Sequence, residues 1–247
     1  MKPVLDFALA LVLFVPALPV MFVCGLLVKL TSPGPAVYSQ TRVGRDGRVY
    51  RIYKIRSMRH NCEAASGARW SSGDCDPRVT PVGRFLRRTH LDELPQLWNV
   101  LRGEMSLVGP RPERPEFVPK LEQLVPGYRE RLRVKPGVTG LAQIQLPADT
   151  DVESVRNKLA LDRRYVEGYG FWLDVRILLG TGLKVAGVPF AGIRRLLALP
   201  GPPPGAEAEA VVLPRPEIAE AAHPPTGQVP PTAEQAPAAV CANFTSP

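Results

Sequence analysis

The segment RRTHLDELPQLWNVLRGEMSLVGPRPE, residues 87–113, joins helix-forming, acidic and loop-forming residues. Its apolar residues recur at helical spacing and predict a helix from about Asp92 to Leu101. They are Leu94, Leu97, Trp98 and Leu101. The end of the segment, SLVGPRPE, is rich in glycine and proline and predicts a loop. We call residues 109–112 the Gly-Pro-Arg-Pro loop.

Two adjacent carboxylates, Asp92 and Glu93, stand at the start of this predicted helix; we call them the acidic pair. One interpretation is structural, because Thr89 and Asp92 have the spacing of a helix-start signal and acids favour the first turn of a helix. The other interpretation is chemical. Neighbouring helix positions diverge by about 100°, so the two carboxylates would suit two different roles better than a symmetric acid/base dyad.

Cations surround the acidic pair in the sequence. They are Arg84, Arg87, Arg88, Arg102 and Arg111, and the upstream segment YKIRSMR adds Lys54, Arg56 and Arg59. A run of cations alone is typical of a solvated surface. Cations around two carboxylates and a rigid loop instead suit a phosphorylated ligand with a divalent cation between it and the carboxylates.

Composition agrees with an anionic partner. The chain has 247 residues and a net charge of +8, and residues 1–200 contain 30 basic and 18 acidic side chains. Such a charge indicates nucleic acid, a phosphorylated substrate or anionic lipid, without choosing among them. The length allows one ordinary domain with appendages. No two of the four cysteines have C-x-x-C spacing, so we expect neither a zinc site nor a disulfide framework.

Residues 7–28, FALALVLFVPALPVMFVCGLLV, carry no charge. A helix of this length reaches about 33 Å, enough to cross the hydrocarbon layer of a membrane. Pro16 and Pro19 each remove a backbone donor in mid-segment. They are compatible with a kinked spanning helix or with a hairpin that enters and leaves on the same face. A cleaved signal peptide is disfavoured, because the residues before the run include only one lysine, Lys2, and an acid, Asp6.

The remaining segments predict a small hairpin and several helices. AVYSQ and RVYRIYKI alternate as short strands do. Residues 117–133 and 151–167 read as helices, and residues 171–199 read as a helix lying in a membrane interface or, alternatively, as a core helix. From Pro200 onward the chain has 12 prolines in 48 residues, which predicts a disordered tail.

Three blocks of the sequence resemble the bacterial sugar transferases, the monotopic phosphoglycosyl transferases that start glycan assembly on polyprenyl phosphate. They are DELPQLWNVLRGEMSLVGPRPE, RVGRDGRVYRIYKIRSM before it and KPGVTGLAQ after it. The resemblance covers roughly residues 4–188. Sequence and resemblance together predict an α/β protein, mostly helical with a small β-hairpin. Its parts would be a re-entrant membrane helix (1–30), a compact cytosolic catalytic domain with interfacial helices (31–199) and a disordered Pro/Ala-rich tail (200–247).

The resemblance implies transfer of a phospho-sugar from a nucleotide diphosphosugar, typically a uridine one, to polyprenyl (undecaprenyl) phosphate. This reaction would initiate exopolysaccharide or other glycan assembly. Asp92 would be the nucleophile that forms an aspartyl-phosphosugar, and Glu93 would assist with metal binding or proton handling. The cofactor would be Mg²⁺, held by Asp92 and Glu93. The implied substrate-binding residues are Lys54, Arg56, Arg88, Arg111 and Pro112, while Pro136, Gly137, Thr139 and Gly140 match a turn motif that shapes the pocket or is merely a turn.

The resemblance also implies a location and partners. The enzyme would sit in the bacterial cytoplasmic membrane with its catalytic domain facing the cytosol, in contact with membrane lipid and not with nucleic acid. Downstream glycosyltransferases are candidate partners. Pro16 and Pro19 would mark the membrane bend, although Leu18-Pro19 stands where family members usually have Ser-Pro. His90 replaces a frequent serine, and AQIQLPAD lacks the usual Asn-Gly-Arg.

Two alternatives remain open from the sequence. A membrane-tethered basic binding or scaffold protein would need no metal and would tolerate Asp92→Asn. An enzyme without a covalent step would use the acidic pair only to hold Mg²⁺ while the lipid phosphate attacks directly.

Overall fold

The computed structural model describes residues 1–64, 67, 76–147 and 151–201. The tail predicted from Pro200 onward lies almost entirely outside the described residues. The α-helices are α1 (Lys2–Thr31), α2 (Pro81–Arg88), α3 (Gln96–Leu101), α4 (Val118–Leu124), α5 (Val152–Gly168), α6 (Phe171–Val185) and α7 (Phe190–Leu196). The strands are β1 (Val37–Val43), β2 (Val49–Ile55), β3 (Ser106–Val108) and β4 (Gly137–Thr139). The mostly helical α/β prediction with a small hairpin is confirmed.

The first sheet is the predicted hairpin. β1 and β2 pair antiparallel, with Val37 opposite Ile55 and Val43 opposite Val49. The two strands contain several β-branched and aromatic residues, which suit a half-buried pleated surface. Asp46 takes a left-handed conformation with φ of 56° in the connecting turn, a conformation that aspartate tolerates better than most residues. The hairpin carries Lys54 near the end of β2.

The second sheet was not predicted. β3 and β4 pair in parallel, with Ser106 opposite Gly137 and Val108 opposite Thr139. β3 lies within SLVGPRPE, which the sequence indicated as loop, and each strand has only three residues. A strand this short is too brief to show alternation. The sheet joins the chain just before the Gly-Pro-Arg-Pro loop to the segment KPGVTG.

Helix α1 is helical throughout, including Pro16 and Pro19. Among the described helices, α1 is the one that is long and apolar enough to cross a membrane, judged by length and composition. Its most apolar window of 18 residues has a mean hydropathy of 2.7, and 17% of that window is buried. The sequence left a kinked helix and a hairpin open, and the resemblance favoured a hairpin. The structure shows no interruption of the helix at either proline.

Both ends of α1 contact the same folded body. At its start, Lys2 Nζ lies 2.6 Å from Asp174 Oδ2 of α6, and near its end Cys24 and Val28 pack with Ile55 and Leu86. Both ends of α1 therefore lie against the folded body. Insertion of α1 into a membrane, a membrane bend at Pro16 and Pro19, and the side of the membrane on which its ends lie stay predictions.

The main core forms where α1 meets the other helices. Ala10 and Ala17 are buried, and their small side chains let α1 approach closely. Phe14 stacks at 6.0 Å from Trp98 of α3. The cluster continues through Leu97, Val100, Met105, Leu107, Val108, Leu141, Ile144, Leu161, Tyr165, Leu173, Ile177 and Ile193. It fixes α3, β3 and α6 around one centre and so sets the positions of the loops between them.

Three helix predictions meet different outcomes. Residues 151–167 form α5, which Asp151 caps by accepting from Ser154 N at 2.8 Å. The predicted helix 117–133 is divided into α4 and a 3-10 helix, Tyr128–Arg133, because Gly127 adopts φ of 74°. The predicted helix 171–199 is divided into α6 and α7 at Gly187, with φ of 86°, followed by Pro189. Both breaks occur at Gly and Pro, which end helices.

Candidate functional site

A sharp turn presents the acidic pair. The Thr89 hydroxyl donates to Phe85 O at 2.9 Å, so this residue closes α2 and does not start the next helix. The helix-start interpretation of Thr89 is therefore wrong. His90 then takes a left-handed conformation, with φ of 57°, and its carbonyl accepts from Glu93 N at 3.1 Å. The acidic pair lies in a 3-10 turn, Leu91–Glu93, and α3 begins only at Gln96.

Glu93 is held by two cations. Its Oε1 lies 2.7 Å from Lys54 Nζ and 2.8 Å from Arg111 Nη2, and the residue is 9% exposed. Burial is the largest single influence on Glu93 and raises its pKa, but Arg111 and Lys54 together outweigh it and hold that pKa well below its usual range. Glu93 is therefore ionised, and its charge is matched within the site.

Asp92 has the opposite environment. It is 5% exposed, and its carboxylate makes no hydrogen bond or ion pair with any residue in the described ranges. Burial, followed by the charge of Glu93, raises the pKa of Asp92 to about 6. The two carboxylates thus face different surroundings, as their adjacent positions suggested. Asp92 is a buried carboxylate whose oxygens are not committed to a neighbour.

The Gly-Pro-Arg-Pro loop is fastened through its backbone. Arg131 Nη2 donates to the Arg111 carbonyl at 2.8 Å, and Arg42 Nη1 donates to the Pro112 carbonyl at 3.0 Å. Val43 N donates to the next carbonyl, that of Glu113, at 2.8 Å. With three consecutive carbonyls held, the Arg111 side chain extends from a fixed backbone toward Glu93.

Segment KPGVTG packs against the same loop and is hydrogen-bonded to its backbone. Gly109 N donates to Thr139 O at 2.9 Å, and Gly137 N donates to Pro110 O at 3.0 Å. A Cβ on Gly137 would lie 2.1 Å from Gly109 N, and one on Gly140 would lie 2.2 Å from Gly109 O. Only glycine permits this approach. The turn motif therefore shapes the site by packing against the loop.

The predicted site residues do not all meet at the acidic pair. Lys54 and Arg111 do. The Arg56 guanidinium instead donates to Pro33 O and to Ser32 O, closing the end of α1. Arg88 is exposed on the last turn of α2, and Pro112 is a buried residue of the Gly-Pro-Arg-Pro loop. Substrate binding by these three residues stays a prediction.

Sequence reasoning gave no site role to several residues near the pair. Arg87, one position before Arg88, contributes a charge that lowers the pKa of Asp92. Arg42 holds the Gly-Pro-Arg-Pro loop. Lys184 and Arg111 both lower the pKa of His90, after the larger effect of burial and against that of Glu93. Arg42 and Lys184 come from segments far from the acidic pair in the sequence, and nothing in the sequence links either of them to it.

The donor atoms at the pair fit a magnesium ion shared with a substrate. In the ranges that the structure describes, no group of three or more His, Cys, Asp and Glu side chains is arranged to hold a metal ion. Asp92 and Glu93 Oε2 offer carboxylate oxygens, since Glu93 Oε1 already accepts from Lys54 and Arg111. Mg²⁺ is commonly bound by one or two carboxylates together with substrate phosphates and water. A site built by protein ligands alone does not fit.

Comparison with known proteins identifies the family. The family described as bacterial sugar transferase matches residues 1–187. The UDP-N-acetylgalactosamine-undecaprenyl-phosphate N-acetylgalactosaminephosphotransferase of Aeromonas hydrophila is 44% identical over 174 residues, which are 70% of this chain and 41% of the relative. The UDP-glucose:undecaprenyl-phosphate glucose-1-phosphate transferase of Escherichia coli (strain K12) is 43% identical over 183 residues, 72% of this chain and 39% of the relative.

A further relative is closer in length. The UDP-glucose:undecaprenyl-phosphate glucose-1-phosphate transferase of Caulobacter vibrioides is 42% identical over 182 residues, 73% of this chain and 67% of the relative. The chain thus spans about two fifths of the first two relatives and two thirds of the third. The resemblance seen in the sequence is confirmed by these matches. The chain belongs to the bacterial sugar transferase family.

Proposed function

We propose that this protein transfers a phospho-sugar from a UDP-sugar to undecaprenyl phosphate, giving undecaprenyl diphosphosugar and UMP. One observation carries the proposal. Asp92 is a buried carboxylate without a partner among the described residues, beside Glu93, whose charge is balanced by Lys54 and Arg111. The names of the relatives support the two substrate classes.

The proposed reaction has two displacements at one phosphorus. A carboxylate oxygen of Asp92 attacks the sugar-bearing phosphate of the donor, and the bond from that phosphorus to the bridging oxygen breaks. UMP leaves with the electron pair of that bond. An oxygen of the lipid phosphate then attacks the same phosphorus and releases the Asp92 carboxylate. No oxidant or net proton is needed.

The cations lower the electrostatic barrier of this reaction. Attack of a carboxylate on a diphosphate brings two anions together, so cations fixed in advance stabilise the transition state. Lys54 has two further N–H donors beyond the one on Glu93. The Arg111 side chain is 45% exposed, so its remaining N–H groups can bind the diphosphate of a UDP-sugar that arrives from water.

Asp92 and Glu93 Oε2 would also hold Mg²⁺ together with the donor diphosphate. The ion supplies additional neutralisation of the phosphate oxygens. Removal of divalent cations with a chelator is therefore expected to abolish turnover, and added Mg²⁺ is expected to restore it.

The sugar is left open by the relatives. A relative named for N-acetylgalactosamine and one named for glucose match at 44% and 43% identity, a difference too small to favour either. A panel of UDP-sugars with purified protein, undecaprenyl phosphate and Mg²⁺, measured as UMP release, would identify the donor.

The apolar helix α1 suggests where the reaction occurs. Its outer face carries large exposed apolar side chains, among them Phe7, Leu13 and Phe22, and such a surface marks a membrane contact. We place α1 in the bacterial inner membrane and the catalytic domain on its cytosolic face. There the lipid product would pass to downstream glycosyltransferases for exopolysaccharide or other glycan assembly. Tags at residue 1 and after residue 200 should both be accessible from the cytosol.

Isotope exchange tests the proposed function. With donor but no lipid, the covalent step predicts that labelled UMP is incorporated into the UDP-sugar. An enzyme in which the lipid phosphate attacks directly would show no exchange but would still turn over with both substrates. A binding or scaffold protein would show neither reaction, and that result would contradict the proposed function.

A further inference from the structure

Lys184 lies in the last turn of α6, and its side chain extends from the helix toward Gln143. Its Nζ donates to the Gln143 carbonyl at 2.9 Å and lies 5.7 Å from the centre of the Phe190 ring. The residue is half-buried. An ammonium group has three N–H donors, so this contact leaves two of them for another acceptor.

Helix α6 is fastened to the part of the chain that carries Arg111. Thr181 Oγ1 lies 2.7 Å from Thr139 Oγ1, and the Thr139 carbonyl accepts from Gly109 N, the first residue of the Gly-Pro-Arg-Pro loop. Thr181 and Lys184 are three positions apart and share one face of the helix. Lys184 therefore extends from the face of α6 that is attached to the loop.

Electrostatics agrees with this placement. Burial lowers the pKa of Lys184 most strongly, and the charge of Arg111 lowers it further, while Glu93 raises it. The charges of both members of the ion pair beside Asp92 thus act on Lys184. The cations whose charges act on the acidic pair come from β2, the Gly-Pro-Arg-Pro loop and α2, and α6 adds Lys184, on which Glu93 acts.

The outer face of α6 is apolar. Trp172, Leu179 and Val185 are exposed, and Lys2 joins the start of α1 to α6 through Asp174. α1 has most of its apolar surface exposed as well, and we call the exposed apolar side chains of α1 and α6 the apolar region. Lys184 extends from α6 on the side that Thr181 fastens to the segment beneath the Gly-Pro-Arg-Pro loop. An anion delivered along the apolar region would meet Lys184, whereas an anion arriving from water would meet the exposed Arg111.

We propose that Lys184 binds the phosphate of the lipid acceptor and holds it beside the acidic pair for the second displacement. This inference rests on the proposed function, because it assigns one of its two substrates. The acceptor is a phosphate monoester on a long hydrocarbon chain. Its hydrocarbon lies along α6 and α1, and its phosphate accepts hydrogen bonds from Lys184 Nζ. The donor diphosphate is bound by Lys54 and Arg111.

Lys184→Met tests the assignment, because methionine keeps much of the side-chain length and removes the charge. The KM for undecaprenyl phosphate should rise about tenfold, corresponding to loss of a charge-assisted hydrogen bond. The KM for the UDP-sugar and the rate of UMP exchange with donor alone should stay within about twofold, since neither involves the acceptor. Lys184→Arg should keep the acceptor KM within about threefold of the parent.

Arg195→Met is the matched control. Arg195 is an exposed cation on α7, so its loss changes the surface charge by the same amount without touching the pair. An equal rise in acceptor KM in this variant would assign the effect to general attraction of lipid phosphate and would overturn the role of Lys184. So would a fall in donor-only exchange in Lys184→Met, which would place the lysine on the donor.

Failure of the inference and failure of the proposed function are distinguishable. Parent protein without turnover on any UDP-sugar contradicts the proposed function. Parent protein with turnover, and Lys184→Met with an unchanged acceptor KM, contradicts only the inference. If Lys184→Met does not fold, the same comparison of acceptor KM values is made with Lys184→Gln and Lys184→Arg. Lys184→Gln is expected to raise the acceptor KM, and Lys184→Arg is expected to leave it unchanged.

Discussion

Adjacent carboxylates occupy contrasting halves of this site. On the Glu93 half, two cations meet one oxygen at 2.7 and 2.8 Å, and the pKa is held well below its usual range. On the Asp92 half, a residue that is as deeply buried has no partner among the described residues, and its pKa is raised to about 6. Under the proposed function, the Glu93 half serves stability and the Asp92 half serves reactivity. An enzyme that must present an anion to a phosphate needs both, because the first supplies the cations that the second would otherwise lack.

Replacing Asp92 by asparagine is expected to have the largest effect on activity. The amide retains the shape of the carboxylate and removes the attacking oxygen anion, so turnover should fall by about a thousandfold or more. Stability should not fall. The raised pKa means that the ionised form of Asp92 is disfavoured in the folded state. The free energy of unfolding at pH 7 should therefore rise by about 1–3 kcal/mol in the Asp92→Asn protein.

Turnover by UMP release and thermal unfolding in one lipid preparation would check both parts for Asp92→Asn. Activity within tenfold of the parent would show that Asp92 is not the nucleophile. A lower melting temperature would show that Asp92 has a stabilising partner.

Glu93→Gln sharpens the comparison in the opposite direction. The substitution leaves Lys54 and Arg111 close together without their shared anion, and loss of one partner from a buried ion pair costs about 3 kcal/mol. We therefore expect a clear fall in melting temperature where Asp92→Asn causes none. Equal melting temperatures for the two variants would contradict the division of the site into two halves.

Gly137→Ala tests the support beneath Arg111. The added Cβ would lie 2.1 Å from Gly109 N, so either the loop or β4 must move, at a cost of about 1–3 kcal/mol. The KM for the donor should rise, because the Arg111 backbone is displaced. Gly182→Ala is the control, since a Cβ there meets nothing within 4 Å and alanine favours the helix. A Gly137→Ala protein as stable and active as the control would show that this packing is dispensable.

The pH dependence of activity gives the smallest expected effect. In the proposed mechanism Asp92 attacks only when it is deprotonated, and its pKa is raised to about 6. The value of kcat/KM should therefore be near its plateau above pH 7 and fall on the acid side of about 6, approaching tenfold per pH unit. Kinetics between pH 5 and 8 at subsaturating Mg²⁺ would show it, because a bound ion would itself lower the pKa of Asp92. A profile that is flat across this range even at low Mg²⁺ would show that a cation of the protein keeps Asp92 ionised.

Local patterns in the sequence were enough to predict several elements. The alternation in RVYRIYKI predicted β2, and the periodicity of residues 151–167 predicted α5. The acidic pair and the loop were found because they lie within one continuous segment. Thr89 was misread, because its hydroxyl can cap the preceding helix as readily as it can start the next. Only the fold shows that it bonds back to Phe85.

The remaining parts of the site depend on contacts between distant segments. Arg42 holds the Pro112 carbonyl across 70 positions, and Lys184 comes from a helix whose sequence pattern indicates an interface or a core. The difference between Asp92 and Glu93 also depends on tertiary contacts, because their sequence context is the same. The contacts of Arg56 with the end of α1 are likewise visible only in the fold, while its predicted phosphate contact stays a prediction.

Intact-mass measurement after incubation with donor alone tests the central claim most directly. With the UDP-sugar identified by the panel, Mg²⁺ and no lipid, the parent protein is expected to gain the mass of one phospho-sugar, located at Asp92 by peptide mapping and lost on addition of undecaprenyl phosphate. The Asp92→Asn protein is expected to gain nothing. An unmodified Asp92 under conditions of rapid turnover, with quenching fast enough to preserve an acyl phosphate, would contradict the account.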